Sequence, residues 1–312
     1  MNRTSTFGRI AVATVSVLAL GAGLFVATAP AGAATTSGPR LPESKAKLAA
    51  SLTCHGDFDG SSKRAVLLVP GTTLTPKINF SWDYEKVFSA AGRPWCAVTL
   101  PHHAMSDIQT AGEYVVHAIR AEHAEAGRKI SIVGYSQGGM VPRWALKFWP
   151  DTRHDVDDMI GIDPSNHGTL DADAICAPGC APAFWQQRDD SHFLAALNKG
   201  AETYAGISYT QMYTATDEVV VPNLGPKASS ALHTGQGEIS NIEVQSICPA
   251  HVADHLTMGT FDPVAYALVL DALNHAGPAK ASRIASSVCT EASMPGVSLA
   301  DVAQHFPTVV AT

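Results

Sequence analysis

Between Lys129 and Phe148 a β-branched run (Ile130, Ile132, Val133) enters Gly134-Tyr-Ser136-Gln-Gly138 and leaves as a helical pattern. This stretch restricts the fold more than any other. A serine flanked two residues away on each side by glycine belongs on a sharp strand-to-helix turn, where larger side chains would collide with the neighbouring strand and helix. The turn exposes the serine oxygen, and the helix N-terminus behind it favours negative charge developing nearby. Pro142 forfeits the helical hydrogen bond to the carbonyl of Gly138, so a kink is expected there.

The rest of the chain repeats the strand–helix alternation. Strands are expected at Ala65–Val69, Trp95–Thr99, Lys129–Val133, Met159–Ile162, Tyr209–Thr214 and Ile242–Ile247. Helices are expected at Trp82–Ala91, Gln137–Phe148 and Ala183–Asn198, and after Ser106-Asp-Ile-Gln109, which reads as a capping box for a helix stopped at Gly127. Asp262-Pro263 opens one more. Such alternation implies an α/β fold with a mostly parallel sheet covered by helices on both faces. Residues 51–312 form the expected domain, preceded by a polar arm at residues 34–50.

Residues 1–33 read as an export signal: Arg3 and Arg9, an apolar run to about Ala27, then Ala31-Gly32-Ala33 as a small-residue cleavage pattern. The chain is therefore expected to be secreted, with no other stretch able to cross a bilayer. Its formal charge is −7, and losing those two arginines takes it to −9. That acidity argues against nucleic acid or an anionic membrane as partner. Cys54, Cys96, Cys176, Cys180, Cys248 and Cys289 are an even set in an exported chain, which favours three disulfides, and Cys176–Cys180 could close a small loop. The spacing does not suit a zinc site.

A serine nucleophile needs a base, and the base an orienting acid, in the order Ser, Asp or Glu, His for this kind of turn. Asp163 and Asp217 both follow expected strands, and His233, His251, His255 and His275 lie downstream. Order alone leaves these choices open. Three other polar groups have simpler readings: His102-His103 is a solvated loop pair, Asp57-Phe-Asp59-Gly60 a turn, and Asn166-His167-Gly168 either a simple loop or part of the site wall.

Five segments resemble, in order and with similar spacing from about residue 50 to 290, the Candida antarctica lipase B family of α/β-hydrolases. They are Val69-Pro-Gly-Thr72, Tyr135-Ser-Gln-Gly138, Trp185-Gln-Gln187, Thr214-Ala-Thr-Asp217-Glu-Val-Val220 and Asp254-His255. The resemblance implies an α/β-hydrolase fold and a secreted hydrolase of carboxylic esters, a lipase or esterase acting on acylglycerols or similar esters. It implies Ser136, Asp217 and His255 as a triad, Thr72 and Gln137 as oxyanion donors, and Tyr135, Gln187, Val219 and Val220 against the substrate. It also implies disulfides Cys54–Cys96 and Cys248–Cys289. No metal or organic cofactor is required by such chemistry, and a monomer is expected. A short-chain esterase or polyester depolymerase is the alternative, ahead of a non-catalytic lipid- or polymer-binding protein.

Three features depart from that family. Tyr135 stands where it has tryptophan, a Cys176–Cys180 staple is expected near its short lid, and little chain follows Cys289 to build its C-terminal pocket wall. The segment between Gly168 and Ala183 is short and acidic, with only Leu170 and Ile175 to cover a cleft, so little lid movement is expected.

Overall fold

The strands that carry the apolar runs lie side by side because each buries both of its faces. In β2 (Val66–Val69), Val66 and Leu68 point into one core while Leu67 and Val69 point into another, all fully buried. The computed structural model describes Met1 and residues 37–312; the export-signal reading of residues 1–33 lies outside the described residues. The remaining strands are β1 (Leu52–His55), β3 (Trp95–Val98), β4 (Ile130–Tyr135), β5 (Val156–Ile162), β6 (Ser208–Tyr213) and β7 (Glu238–Glu243). They form one sheet in the order β1-β3-β2-β4-β5-β6-β7, parallel throughout except for β1, which runs antiparallel to β3.

The helices are α1 (Lys45–Ala50), α2 (Pro76–Asn79), α3 (Tyr84–Ala90), α4 (Ile108–Ala126), α5 (Gln137–Phe148) and α6 (Asp171–Cys176). After them come α7 (Pro182–Gln186), α8 (His192–Asn198), α9 (His255–Met258), α10 (Pro263–Asn274) and α11 (Leu299–Val310). On one face α4 presents Val115 and Ile119, and α5 presents Met140 and Val141, to Leu67, Ile130 and Ile132. On the other, Phe88 of α3 and Leu268 and Val269 of α10 pack on Val133, Ile160 and Met212. Each such side chain contributes about 1.5–3 kcal/mol by leaving water. The sheet is thus covered on both sides, as a parallel sheet requires.

Several expectations are corrected by local chemistry. Ser106 does not cap α4: Asp107 accepts from the N–H groups of Gln109 and Thr110, and the Ile108 N–H donates to the Gln186 side chain. The single helix expected at Ala183–Asn198 is two, because the Gln187 carbonyl turns to accept from the Thr169 N–H, and Ser191 then caps α8. The last strand is Glu238–Glu243 rather than Ile242–Ile247; beyond it Gln245 bends away to bond Ala215, Thr214 and His251. The arm at residues 34–50 includes a real helix, α1, with Ser44 as its cap. Strand β1 is mostly exposed and so left no apolar pattern to read. Its place is set by pairing, and the Cys54–Cys96 disulfide joins two directly paired residues.

The stretch His255–Asn274 does reach the length and hydropathy of a membrane span, contrary to expectation. It contains two core helices separated by the Asp262 cap and is mostly buried, as soluble core helices are. Helix α5 runs without a break through Pro142. Asp57 accepts from the Gly60 N–H, so that segment is a turn.

Candidate active site

The turn after β4 is as tight as its glycines suggest. Ser136 holds φ +54° and ψ −126°, a conformation rare for a residue with a side chain. A Cβ on Gly134 would come within 2.0 Å of the Gly138 carbonyl oxygen, and one on Gly138 within 2.1 Å of the Val69 carbonyl. Both contacts are with backbone, so neither position can take a larger residue without moving the sheet. The strain persists because β4 and α5 hold it from both sides, and it points the serine hydroxyl away from the sheet.

His255, the first residue of α9, faces that hydroxyl. Its Nε2 lies 3.0 Å from Ser136 Oγ and its Nδ1 3.0 Å from Asp217 Oδ2. His255 is 2% exposed and Ser136 6%. Asp217 sits in the loop after β6 and accepts four hydrogen bonds: from His255, from the Val219 and Val220 N–H groups, and from the Asn223 amide. Burial alone would push its carboxyl up, but the His255 ring and the two backbone N–H groups hold it below the ordinary carboxylate range. An acid kept ionised against a ring nitrogen fixes the tautomer, leaving Nε2 free to accept a proton.

The other expected residues converge on the same place. Thr72, Tyr135, Ser136, Gln187, Val219, Val220 and His255 line one cavity of about 180 Å³ whose wall is largely apolar. Gln137 adjoins it as the first residue of α5, so its N–H has no helical carbonyl to bond. The Gln187 amide donates to Thr72 Oγ1 at 3.0 Å and accepts from Ser165 Oγ at 2.9 Å. With an oxygen lone pair so occupied, the Thr72 proton is available to the cavity. Tyr135 is buried and donates to the His255 carbonyl at 3.0 Å. The structure pairs Cys54 with Cys96, Cys176 with Cys180, and Cys248 with Cys289.

Some functional neighbours carried no sequence signal. Buried Asn79 accepts from the Gly71 N–H and donates to the Gly259 carbonyl, tying the Thr72 loop to the histidine helix. The C-terminal wall, in doubt from the sequence, is supplied by α11, with Val309, Val310 and Thr312 in the lining. A Ser298–Asp301 capping box and the Lys86–Asp301 pair at 2.8 Å seat this helix. Conversely, Asn166-His167-Gly168 is absent from the cavity lining and bonds Arg143, Gln211, Ser230 and Glu202. The other downstream histidines lie elsewhere: His251 bonds Asp262, His275 bonds Asp271, and His233 is exposed.

A strained serine between β4 and α5, beside a histidine and a buried acid at the carboxyl ends of a parallel sheet, defines an α/β-hydrolase. The family described as Lipase (class 2) matches residues 114–247. Lipase B of Pseudozyma antarctica is 34% identical over 224 residues, which are 70% of this chain and 64% of that protein. The chain thus spans about two-thirds, but not fully two-thirds, of that curated relative. The crystal structure of Aspergillus fumigatus lipase B superposes with a TM-score of 0.79 at 30% identity, covering 92% of this chain and 70% of that one. The propeptide form of Bacillus licheniformis lipase BlEst2, at 15% identity and a TM-score of 0.53, shares the fold. The chain belongs to the lipase B-like family.

Proposed function

We propose that the protein is a secreted hydrolase of carboxylic esters, with acylglycerols or similar esters as substrates. The observation that carries this reading is the bonded line from Asp217 through His255 to Ser136 on the wall of an apolar cavity. Ser136 Oγ attacks the ester carbonyl while His255 Nε2 takes its proton, and Asp217 stabilises the imidazolium that results. The N–H groups of Thr72 and Gln137 and the Thr72 hydroxyl receive the negative charge on the tetrahedral oxygen. His255 then returns the proton to the leaving alcohol. Water, deprotonated by the same ring, releases the acid from the acyl-enzyme.

The apolar wall, built by residues such as Leu74, Phe184, Val220 and Leu256, suits an acyl chain. Exposed Ile175 and Val310 stand in the lining and bring apolar surface to its mouth. The α6 segment above it is stapled by Cys176–Cys180 and by the Arg188–Asp173 ion pair, which supports a cleft that stays open. Export fits the three disulfides. The test is release of p-nitrophenol from p-nitrophenyl butyrate by the purified mature protein and by Ser136→Ala. The parent should turn over and the variant should not; equal rates would overturn the reading. A substrate series from acetate to long-chain esters separates lipase from short-chain esterase.

A further inference from the structure

Behind the Asp217–His255 pair lies a second carboxyl that the mechanism above does not use. Asp163 follows β5, is fully buried, and holds φ +42°, with its N–H donated to the Met212 carbonyl. Its Oδ1 accepts from the Thr214 N–H at 3.0 Å and from the Asn223 amide at 3.3 Å. The same Asn223 amide donates to Asp217 Oδ2 at 3.0 Å, so one amide serves two acids. Ligating atoms of Asp163, Asp217 and His255 all fall within 4.8 Å of one another. Yet Asp163 Oδ2, buried with them, receives no hydrogen bond.

Two carboxyls within 4.8 Å of each other in a buried site resist ionising together, and the donors around them decide which keeps a proton. Asp217 receives four hydrogen bonds; Asp163 receives two, both on one oxygen. No lysine or arginine forms an ion pair with Asp163 among the described residues. The titratable groups around it are Asp217 and His255, Tyr135 on β4, and Asp262 at the start of α10, itself paired with His251 at 2.5 Å. Burial first, and the Asp217 charge second, push the Asp163 carboxyl well above the ordinary range. An unpartnered buried oxygen is what a carboxylic O–H occupies when it donates to the anion beside it.

We propose that Asp163 is a positioning residue of the site, a neutral carboxylic acid whose O–H donates to Asp217 and whose loss of that proton switches hydrolysis off at alkaline pH. The proposal rests on the ester-hydrolase reading. While protonated, Asp163 supplies Asp217 with a fifth donor and adds no charge. Once ionised, it sets a second negative charge against Asp217, removes that donor, and drives the acid away from His255 Nδ1.

The experiment compares pH profiles of kcat and kcat/KM on p-nitrophenyl butyrate for the parent, Asp163→Asn and Asp163→Ala. The Asn amide keeps the shape, donates to Asp217 and does not titrate. Asp163→Asn should stay within about threefold of the parent at neutral pH, and its alkaline decline should vanish or move up by about one pH unit or more. Asp163→Ala should lose about tenfold or more in kcat with KM little changed. A fall of about 10⁴ in Asp163→Asn would make Asp163 an ionised acid instead and overturn the proposal. So would an unaltered alkaline limb, or a parent with none. Over the bands of other buried, raised carboxyls such as Asp83 and Glu122, one further infrared carbonyl band of a protonated carboxylic acid, present in the parent at neutral pH and lost in the Asp163→Asn difference spectrum, reads the proton without reference to activity. Its absence from the parent overturns the proposal, whereas its presence in a protein that hydrolyses no ester would overturn only the hydrolase reading.

Discussion

Two carboxylate–imidazole pairs, Asp217–His255 and Glu202–His167, differ in what the second ring nitrogen faces. Asp217 and His255 are 3.0 Å apart, and the second ring nitrogen of His255 faces Ser136 and the cavity. Glu202 and His167 are closer, at 2.7 Å, but the other nitrogen of His167 is bonded to the Ser229 carbonyl. Glu202 is further engaged by the N–H groups of His233 and Thr234 and lies 3.9 Å from Arg143, a fully buried arginine of α5. Burial pulls Arg143 down to about 10, and Glu202, which burial alone would raise, is brought to about 2 by His167, the His233 N–H and Arg143. An acid and a ring in contact are therefore not a catalytic device. What matters is whether the remaining ring nitrogen is free to exchange a proton with something that reacts.

The sharpest way to break this contrast is to disable each pair in turn. Asp217→Asn should cut kcat by about 10⁴ while leaving the thermal midpoint close to the parent. Glu202→Gln should leave kcat on a dissolved ester nearly unchanged. A loss at Glu202 equal to that at Asp217 would erase the distinction between the pairs.

The second contrast is in stability. Removing the Glu202 charge leaves Arg143 buried without its anion, which costs about 3–5 kcal/mol in urea-unfolding experiments. Its sign with pH follows from the lowered carboxyl. The folded value of about 2 lies below the unfolded value, about 4.3. The Glu202 contribution is thus complete above about pH 5 and is lost as pH falls toward 2. Parent and Glu202→Gln stabilities should converge across that window, and a constant gap would refute the assignment.

The catalytic side can be sharpened further by removing one donor. Thr72→Val keeps the backbone N–H but deletes the hydroxyl that Gln187 orients, and should lower kcat by about 10²–10³ with KM little changed. The smallest effect is expected at the cavity's cover. The Cys176–Cys180 bridge closes a separation of four residues, so Cys176→Ser with Cys180→Ser should alter unfolding little. Rates on tributyrin across its solubility limit should rise less than about threefold in the parent. A sharp upward break, removed by deleting residues 170–182, would make α6 a moving lid.

How much of this was legible in the chain differs from element to element. Strands β2 and β4 were legible because their β-branched and aliphatic runs are buried on both faces. The edge strand β1 was not, because it is mostly exposed and owes its place to β3. Helix α4 was legible from its apolar spacing and the stop at Gly127, but its cap was misread, since Gln186 from another element takes the Ile108 N–H. The break between α7 and α8 likewise depends on Thr169, a distant loop residue.

By itself the sequence determined the glycine-flanked serine turn, the alternation that makes a parallel sheet, and, through the five collinear segments, which acid and histidine stand with that serine. Those are local or ordered signals, carried by residue type and spacing along the chain. Only the tertiary structure decided that Asp163 shares Asn223 with Asp217, that Glu202 and His167 are closed off by Arg143 and Ser229, and that α11 walls the cavity. The physical reason is that a buried polar group takes its charge state from the donors and charges packed around it, and those come from strands and loops 60 or more positions away.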